Sequence, residues 1–186
     1  MTKIGAAGFS LGGYTAITLA GAKMNLEAFE DYVKTPDGKK EADIPEMPGL
    51  LSYFDRPEVQ ESFKNAPALV DTRIKSVFVM SPAIGQAFPE KENFKEVSIP
   101  VYIVAAENDA IAPVSTNASH YARLIATSQY KTLGGTAGHY VFLNEATDPL
   151  KQDAPLFFAD PPGVDRRDIH QQTLRLAVDH FSKTLK

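Results

Sequence analysis

The sequence predicts an α/β protein, a parallel sheet with flanking helices, and three observations carry that prediction. Residues 76–81 (SVFVMS) and 101–106 (VYIVAA) are apolar, β-branched runs of strand length, the pattern of strands buried on both faces. Helix-forming stretches separate such runs, so successive strands lie parallel. Residues 3–24 add a short strand, a glycine-rich turn and an apolar helix in direct succession.

Taken in order, residues 3–7 form the first strand and residues 11–24 a nearly all-apolar, hence buried, helix. The strand at 76–81 follows, and the one at 101–106 is entered through Pro100. Pro113 opens a helix that runs to about Ser128, since proline suits a first helical turn. Residues 129–133 form a last short strand before Gly134 and Gly135. Residues 168–185 form a helix that places Ile169, Thr173, Leu176, Ala177, His180 and Phe181 on one face.

Two segments depart from this alternation. Residues 25–72 are charged and turn-rich, with short helical stretches such as 57–64, and carry Phe29, Tyr32, Tyr53, Phe54 and Phe63. These aromatics either anchor a solvated insertion to the body or make the segment a lid over a site, a common use of long loops. Residues 147–164 are Pro-rich and read as irregular, with Leu156, Phe157 and Phe158 expected to bury against the core or to wall a pocket.

At 186 residues the chain suits one domain, spanning residues 1–186, with 25–72 as a lid-like insertion. A net charge of −4 gives no electrostatic footprint for nucleic acid. The absence of cysteine excludes disulfides, thiolate metal sites and a cysteine nucleophile. Residues 4–22 carry no charge and imitate a signal peptide ending in Ala20-Gly21-Ala22. Their five glycines and the polar Ser10, Thr15 and Thr18 make a poor membrane helix, so no membrane span is expected.

The chemistry concentrates at Gly8-Phe9-Ser10-Leu11-Gly12-Gly13, which reads G-x-S-x-G between a strand and a helix. A serine hydroxyl attacks at neutral pH only when a base removes its proton. A nucleophile elbow supplies the setting: Ser10 projects from a sharp turn, Gly8 and Gly12 relieve crowding between strand and helix, and the Leu11 amide faces a developing oxyanion. The partners follow in the order such a site requires. Asp109 lies just past the strand at 101–106 and His139 just past the last strand, both in loops at carboxyl ends of parallel strands. His139 is the expected base and Asp109 the residue that orients it. Glu107 competes as the acid from two residues upstream, and Asp109 is preferred because it sits further into the loop. Asp160, Asp165 and Asp168 follow His139, the wrong order. His120, His170 and His180 fall within helices and read as packing or surface residues.

The segments IGAAGFSLGGYTAITLAG, VYIVAAENDAIAP, AGHYVFL and DPPGVDRRDIHQQTLRLAVDHF, with DTRIKSVFVMSPAIG, resemble the α/β-hydrolase superfamily over nearly the whole chain. The branch they resemble is that of predicted dienelactone hydrolases related to platelet-activating-factor acetylhydrolases. The resemblance implies a serine carboxylic-ester hydrolase acting through Ser10, Asp109 and His139 and an acyl-enzyme, on a small-molecule or lipid ester, with no cofactor and no metal. Dienelactone hydrolases proper use a cysteine, so Ser10 points to general esterase chemistry. Acetylhydrolases place their acid after the preceding strand, where this chain has Ser81-Pro82-Ala83, which favours Asp109.

In the superfamily the elbow follows the fifth of eight strands, and the loop after the third contributes the second oxyanion donor. The resemblance therefore covers strands five to eight, the C-terminal half of the fold, and implies a truncated domain. The elbow strand is then expected at a sheet edge, left bare or covered by another copy in a homo-oligomer. The compartment expected from the chain as given is cytoplasmic, or periplasmic or secreted if a preceding region carries a signal peptide. Two other readings of the same residues stand beside the esterase: an inactive hydrolase-like domain that keeps the elbow as structure, and an acyl transferase or thioesterase on the same triad. A dinucleotide-binding module is disfavoured because GAAGFSLGG lacks G-x-G-x-x-G.

Overall fold

Buried, β-branched strands need helices on both faces, and the chain builds that arrangement around four parallel strands in spatial order β1-β2-β3-β4. A computed structural model describes residues 3–65 and 69–186. The strands are β1 (Ile4–Phe9), β2 (Ile74–Met80), β3 (Val101–Ala106) and β4 (Ser128–Leu133). The helices are α1 (Leu11–Leu19), α2 (Leu26–Lys34), α3 (Pro36–Ala42), α4 (Pro57–Lys64), α5 (Ala118–Leu124), α6 (Asp148–Asp153), α7 (Pro155–Phe158) and α8 (Arg166–Thr184). Residues 1–2 of the expected domain and 66–68 of the expected insertion lie outside the described residues.

Successive strand side chains point to opposite faces, and the core divides accordingly. Val77 and Val79 of β2, with Val101 and Ile103 of β3, pack with Ile17 of α1 and Tyr121 of α5 on one face. Phe78 of β2, with Val104 and Ala106 of β3, packs with Ile169 of α8 on the other. Asp165 caps α8, its carboxylate accepting from the Asp168 N–H at 3.1 Å. The face expected from residues 169 to 181 is the one turned inward, with Ile169, Thr173 and His180 buried. β1 pairs with β2 and stands at one edge of the sheet. Among the described residues no helix is long and apolar enough to cross a membrane.

Three helical expectations are corrected. The first helix ends at Leu19, not Met24, because Gly21 adopts φ +116° against the backbone of Glu96 and turns the chain away. The helix expected from Pro113 begins only at Ala118. Residues 113–117 form turns instead, with the Thr116 and Asn117 N–H groups both donating to the Pro113 carbonyl. The segment 147–164 is not irregular throughout, since α6 and α7 form there with a proline in each first turn. Nor does its apolar cluster bury as a unit: Leu156 is 55% exposed, while Phe157 rests edge-on against Tyr140 at 4.8 Å between ring centroids.

Candidate active site

The elbow is built by a backbone that only small residues permit. Ser10, between β1 and α1, holds φ 54° and ψ −121°, the corner of a mirror-image turn that glycine normally occupies. Four backbone bonds pin it. Its N–H donates to the Met80 carbonyl at 3.0 Å, and its carbonyl accepts from Gly13, Tyr14 and Ala83 at 2.9, 3.1 and 3.1 Å.

Two glycines let α1 sit close, Gly8 against β1 and Gly13 against the loop after β2. A Cβ on Gly8 would lie 2.0 Å from the Gly12 carbonyl oxygen, and one on Gly13 would lie 3.0 Å from both Cα and Cβ of Pro82. Gly12 does not share this role, contrary to the expectation from its place in the motif. A Cβ there would meet nothing within 4 Å, because that hydrogen points away from the sheet.

Parallel strands deliver their carboxyl ends to one edge, and the site gathers there. β1 ends beside β2 with Phe9 opposite Met80, and β3 ends beside β4 with Ala106 opposite Leu133. The Asn108 N–H donates to the Ala137 carbonyl at 3.1 Å, tying the loop after β3 to the loop after β4. His139, opening a one-turn 3-10 helix at His139–Phe142, then faces both partners. Its Nδ1 lies 2.7 Å from Asp109 Oδ2 and its Nε2 lies 2.9 Å from Ser10 Oγ.

The environment fixes the protons. Asp109 and His139 are 6% and 2% exposed, so water does not compete for their bond. A carboxylate only accepts, so Nδ1 carries the hydrogen toward Asp109 and Nε2 is left to accept from the Ser10 hydroxyl. The other carboxylate oxygen, Oδ1, accepts from the Ile111 and Ala112 N–H groups at 3.0 and 2.7 Å. Asp109 therefore both shapes its loop and orients the imidazole. The Phe9 ring lies 4.8 Å from the imidazole and Tyr140 meets it edge-on at 5.2 Å. Burial raises the Tyr140 hydroxyl well above its ordinary pKa, with the Glu46 carboxylate adding to the effect.

Glu107 is exposed and its N–H serves the Leu133 carbonyl, so the competing acid does not reach the histidine. His120 bonds the Phe88 carbonyl at 2.9 Å, His170 the Val141 carbonyl at 2.7 Å, and His180 the Ser76 hydroxyl at 2.8 Å. All three are used in packing. Asp160 pairs with the buried Arg166 at 2.9 Å. Leu11, the first residue of α1, carries one of the N–H groups that a helix start leaves without an intrahelical acceptor, and it lines the space before Ser10.

That space is a cavity of about 850 Å³ bounded by Ser10, Leu11 and Ala83 on the sheet side and by residues of the 25–72 insertion on the other. The insertion is held by a carboxylate that the sequence did not flag. Glu41 of α3 accepts from the Tyr32 hydroxyl at 2.7 Å, from the Thr116 hydroxyl at 3.0 and 3.1 Å, and from the Gln86 amide. Burial, then Glu41, pushes the Tyr32 hydroxyl above its ordinary range. Ser81 (φ 37°) and Ile84 (φ 61°) likewise carry no sequence sign of an unusual backbone, yet they are the other non-glycine residues with positive φ among those described. They flank Ala83, whose N–H bonds the Ser10 carbonyl, so backbone strain clusters on both sides of the elbow.

No protein-family model matches the chain, and no curated protein matches it.

Proposed function

We propose that this chain is a serine carboxylic-ester hydrolase of the α/β-hydrolase type, its nucleophile Ser10, its base His139 and its orienting acid Asp109. The observation that carries the reading is the continuous hydrogen-bond chain from Ser10 Oγ through the imidazole to Asp109, at 2.9 and 2.7 Å, with an open cavity on the serine side. The resemblance of the elbow, acid and histidine segments to predicted dienelactone hydrolases supports the same reading.

In this reading the steps follow from the hydrogen-bond chain. Ser10 Oγ attacks the carbonyl carbon of the ester as its proton passes to His139 Nε2, and the carbonyl π electrons move onto oxygen. The imidazolium is stabilised by the Asp109 carboxylate on its other nitrogen. The Leu11 N–H at the start of α1 donates to the oxyanion; removing one such donor typically costs about 100- to 1,000-fold in turnover. Collapse expels the alkoxide, which takes the Nε2 proton and leaves as the alcohol, with the acyl group on Ser10. Water then attacks the acyl carbon, gives its proton to Nε2, and the acid departs as Ser10 recovers that proton.

A fluorophosphonate probe tests the assignment because it captures only an activated serine. The expected result is labelling of the wild-type chain and of Ser115→Ala, and none of Ser10→Ala. Labelling that survives Ser10→Ala, or a folded wild-type protein that takes no label, overturns it.

A further inference from the structure

The cavity before Ser10 has a chemistry more specific than an opening. Phe29 of α2, Phe54 ahead of α4, and Phe63 within α4 form a continuous aromatic wall, with successive ring centroids 5.6 and 6.1 Å apart. Met24, Leu50 and Val59 extend that apolar lining. Among the described residues no lysine, arginine or histidine lines the cavity, and the charged side chains that do are Glu41 and Glu46. The Glu41 oxygens are already engaged by Tyr32, Thr116 and Gln86. Glu46 adds negative charge with no lining cation to balance it.

Met47 and Tyr53 are 48% and 47% exposed and also line the cavity, so the apolar surface continues out to solvent at its mouth. Exposed apolar side chains gathered at one opening mark a binding surface. A ligand group that enters gains by leaving water in proportion to its hydrocarbon area. An anionic group that enters loses its hydration, finds no cation and meets Glu46.

We infer that this cavity takes the hydrocarbon limb of an uncharged ester, alkyl or aromatic, and rejects limbs that end in a carboxylate or phosphate. The word ester rests on the hydrolase reading above; the selection of a neutral apolar limb rests on the cavity lining alone. The insertion is then the specificity-determining part of the site, since its Phe29, Phe54 and Phe63 supply the wall that reads the limb.

Straight-chain methyl ketones from butyl to octyl, which cannot be hydrolysed, test the inference by titration calorimetry on the full chain, as wild type and as Ser10→Ala. Affinity is expected to rise about fourfold per added methylene in both proteins. A ketone of equal length ending in a carboxylate is expected to bind on the order of a hundredfold more weakly. Met47→Lys places a cation at the half-exposed rim, where its aliphatic stem still covers the surface, and is expected to improve carboxylate-ketone binding about tenfold. Affinity that does not change with chain length, or equal binding of the charged and neutral ketones, overturns the inference. Chain-length dependence in a protein that takes no fluorophosphonate label removes the hydrolase reading and leaves the cavity assignment standing. Labelling with flat ketone binding does the reverse.

Discussion

The Cβ that Gly8 lacks would lie 2.0 Å from the carbonyl oxygen of Gly12, so strand β1 and helix α1 meet at a distance no side chain allows. Gly8→Ala must therefore push α1 off the strand and move Ser10 with it. The expected outcome is a loss of about 3 kcal/mol or more in urea unfolding, at or above the upper end for overpacking, together with loss of fluorophosphonate labelling. Gly12→Ala has open space and no positive φ to accommodate. It is expected to leave stability unchanged or raise it by about 0.5–1 kcal/mol, the gain of alanine over glycine in a helix. Equal destabilisation by both substitutions would remove this account of the elbow.

How much of this was legible in the sequence depended on whether the decisive contact was local. β3 was readable to the residue, 101–106, because a strand buried on both faces leaves an uninterrupted apolar run. Ser10, Asp109 and His139 were readable because each follows a strand, and parallel strands deliver their ends to one edge. The end of α1 was not, since it depends on Gly21 turning against Glu96, a contact made across the fold. The late start of α5 has a similar cause: the Asn117 carbonyl oxygen Oδ1 accepts from the Gly85 N–H at 2.9 Å, a partner 32 residues away. The motif named Gly8 and Gly12 by type, but which glycine faces backbone is a property of the turn. Glu41 carried no signal because only Tyr32 among its partners is near in sequence, while Gln86 and Thr116 lie 45 and 75 residues distant.

Glu41 is expected to hold the insertion in place. Glu41→Ala leaves the Tyr32 and Thr116 hydroxyls and the Gln86 amide without their shared acceptor. A stability loss of about 1–3 kcal/mol is expected. Hydrogen exchange locates the effect: amides of α2 and α3 should exchange faster while those of β2 and β3 stay protected. Uniform deprotection across the sheet would show that Glu41 supports the whole fold and not the insertion alone.

Asp109 does two jobs with two oxygens, and two substitutions separate them. Asp109→Asn can keep an oxygen toward the Ile111 and Ala112 N–H groups while presenting an amide N–H to His139. That donor forces the imidazole proton onto Nε2, so the ring can no longer accept from Ser10. Turnover is expected to fall on the order of 10⁴-fold, as tautomer loss does in serine hydrolases, with Tm unchanged. Asp109→Ala removes the loop bonds as well and is expected to lower both turnover and Tm. A Tm loss of the same size in Asp109→Asn would show that the carboxylate is needed for the loop itself.

His180 makes stability depend on pH. It is buried against Ser76, and desolvation lowers its pKa below the ordinary 6.5, with a hydrogen bond to the Val77 backbone and then the Asp179 charge acting the other way. The unfolded chain therefore takes up this proton at higher pH than the folded one. The contribution is fully present above the unfolded pKa and is lost as pH falls through the folded pKa. Thermal melting between about pH 7 and pH 5 should show Tm falling with acid, and His180→Gln should flatten that part of the slope. An unchanged slope in the variant would place the acid sensitivity elsewhere.

Ser10 itself is expected to cost stability. A non-glycine residue held at φ 54° and ψ −121° carries strain of about 1–3 kcal/mol. Two substitutions that both remove the hydroxyl isolate the backbone term. At an ordinary position alanine is more stabilising than glycine, by about 0.5–1 kcal/mol. At position 10 the order should invert, because alanine keeps the Cβ in the left-handed region and glycine does not. Ser10→Gly is expected to unfold at higher urea than Ser10→Ala, with neither taking a fluorophosphonate label. If Ser10→Ala is the more stable of the two, the elbow is not strained, and the conformation of Ser10 is one its neighbours hold at no cost.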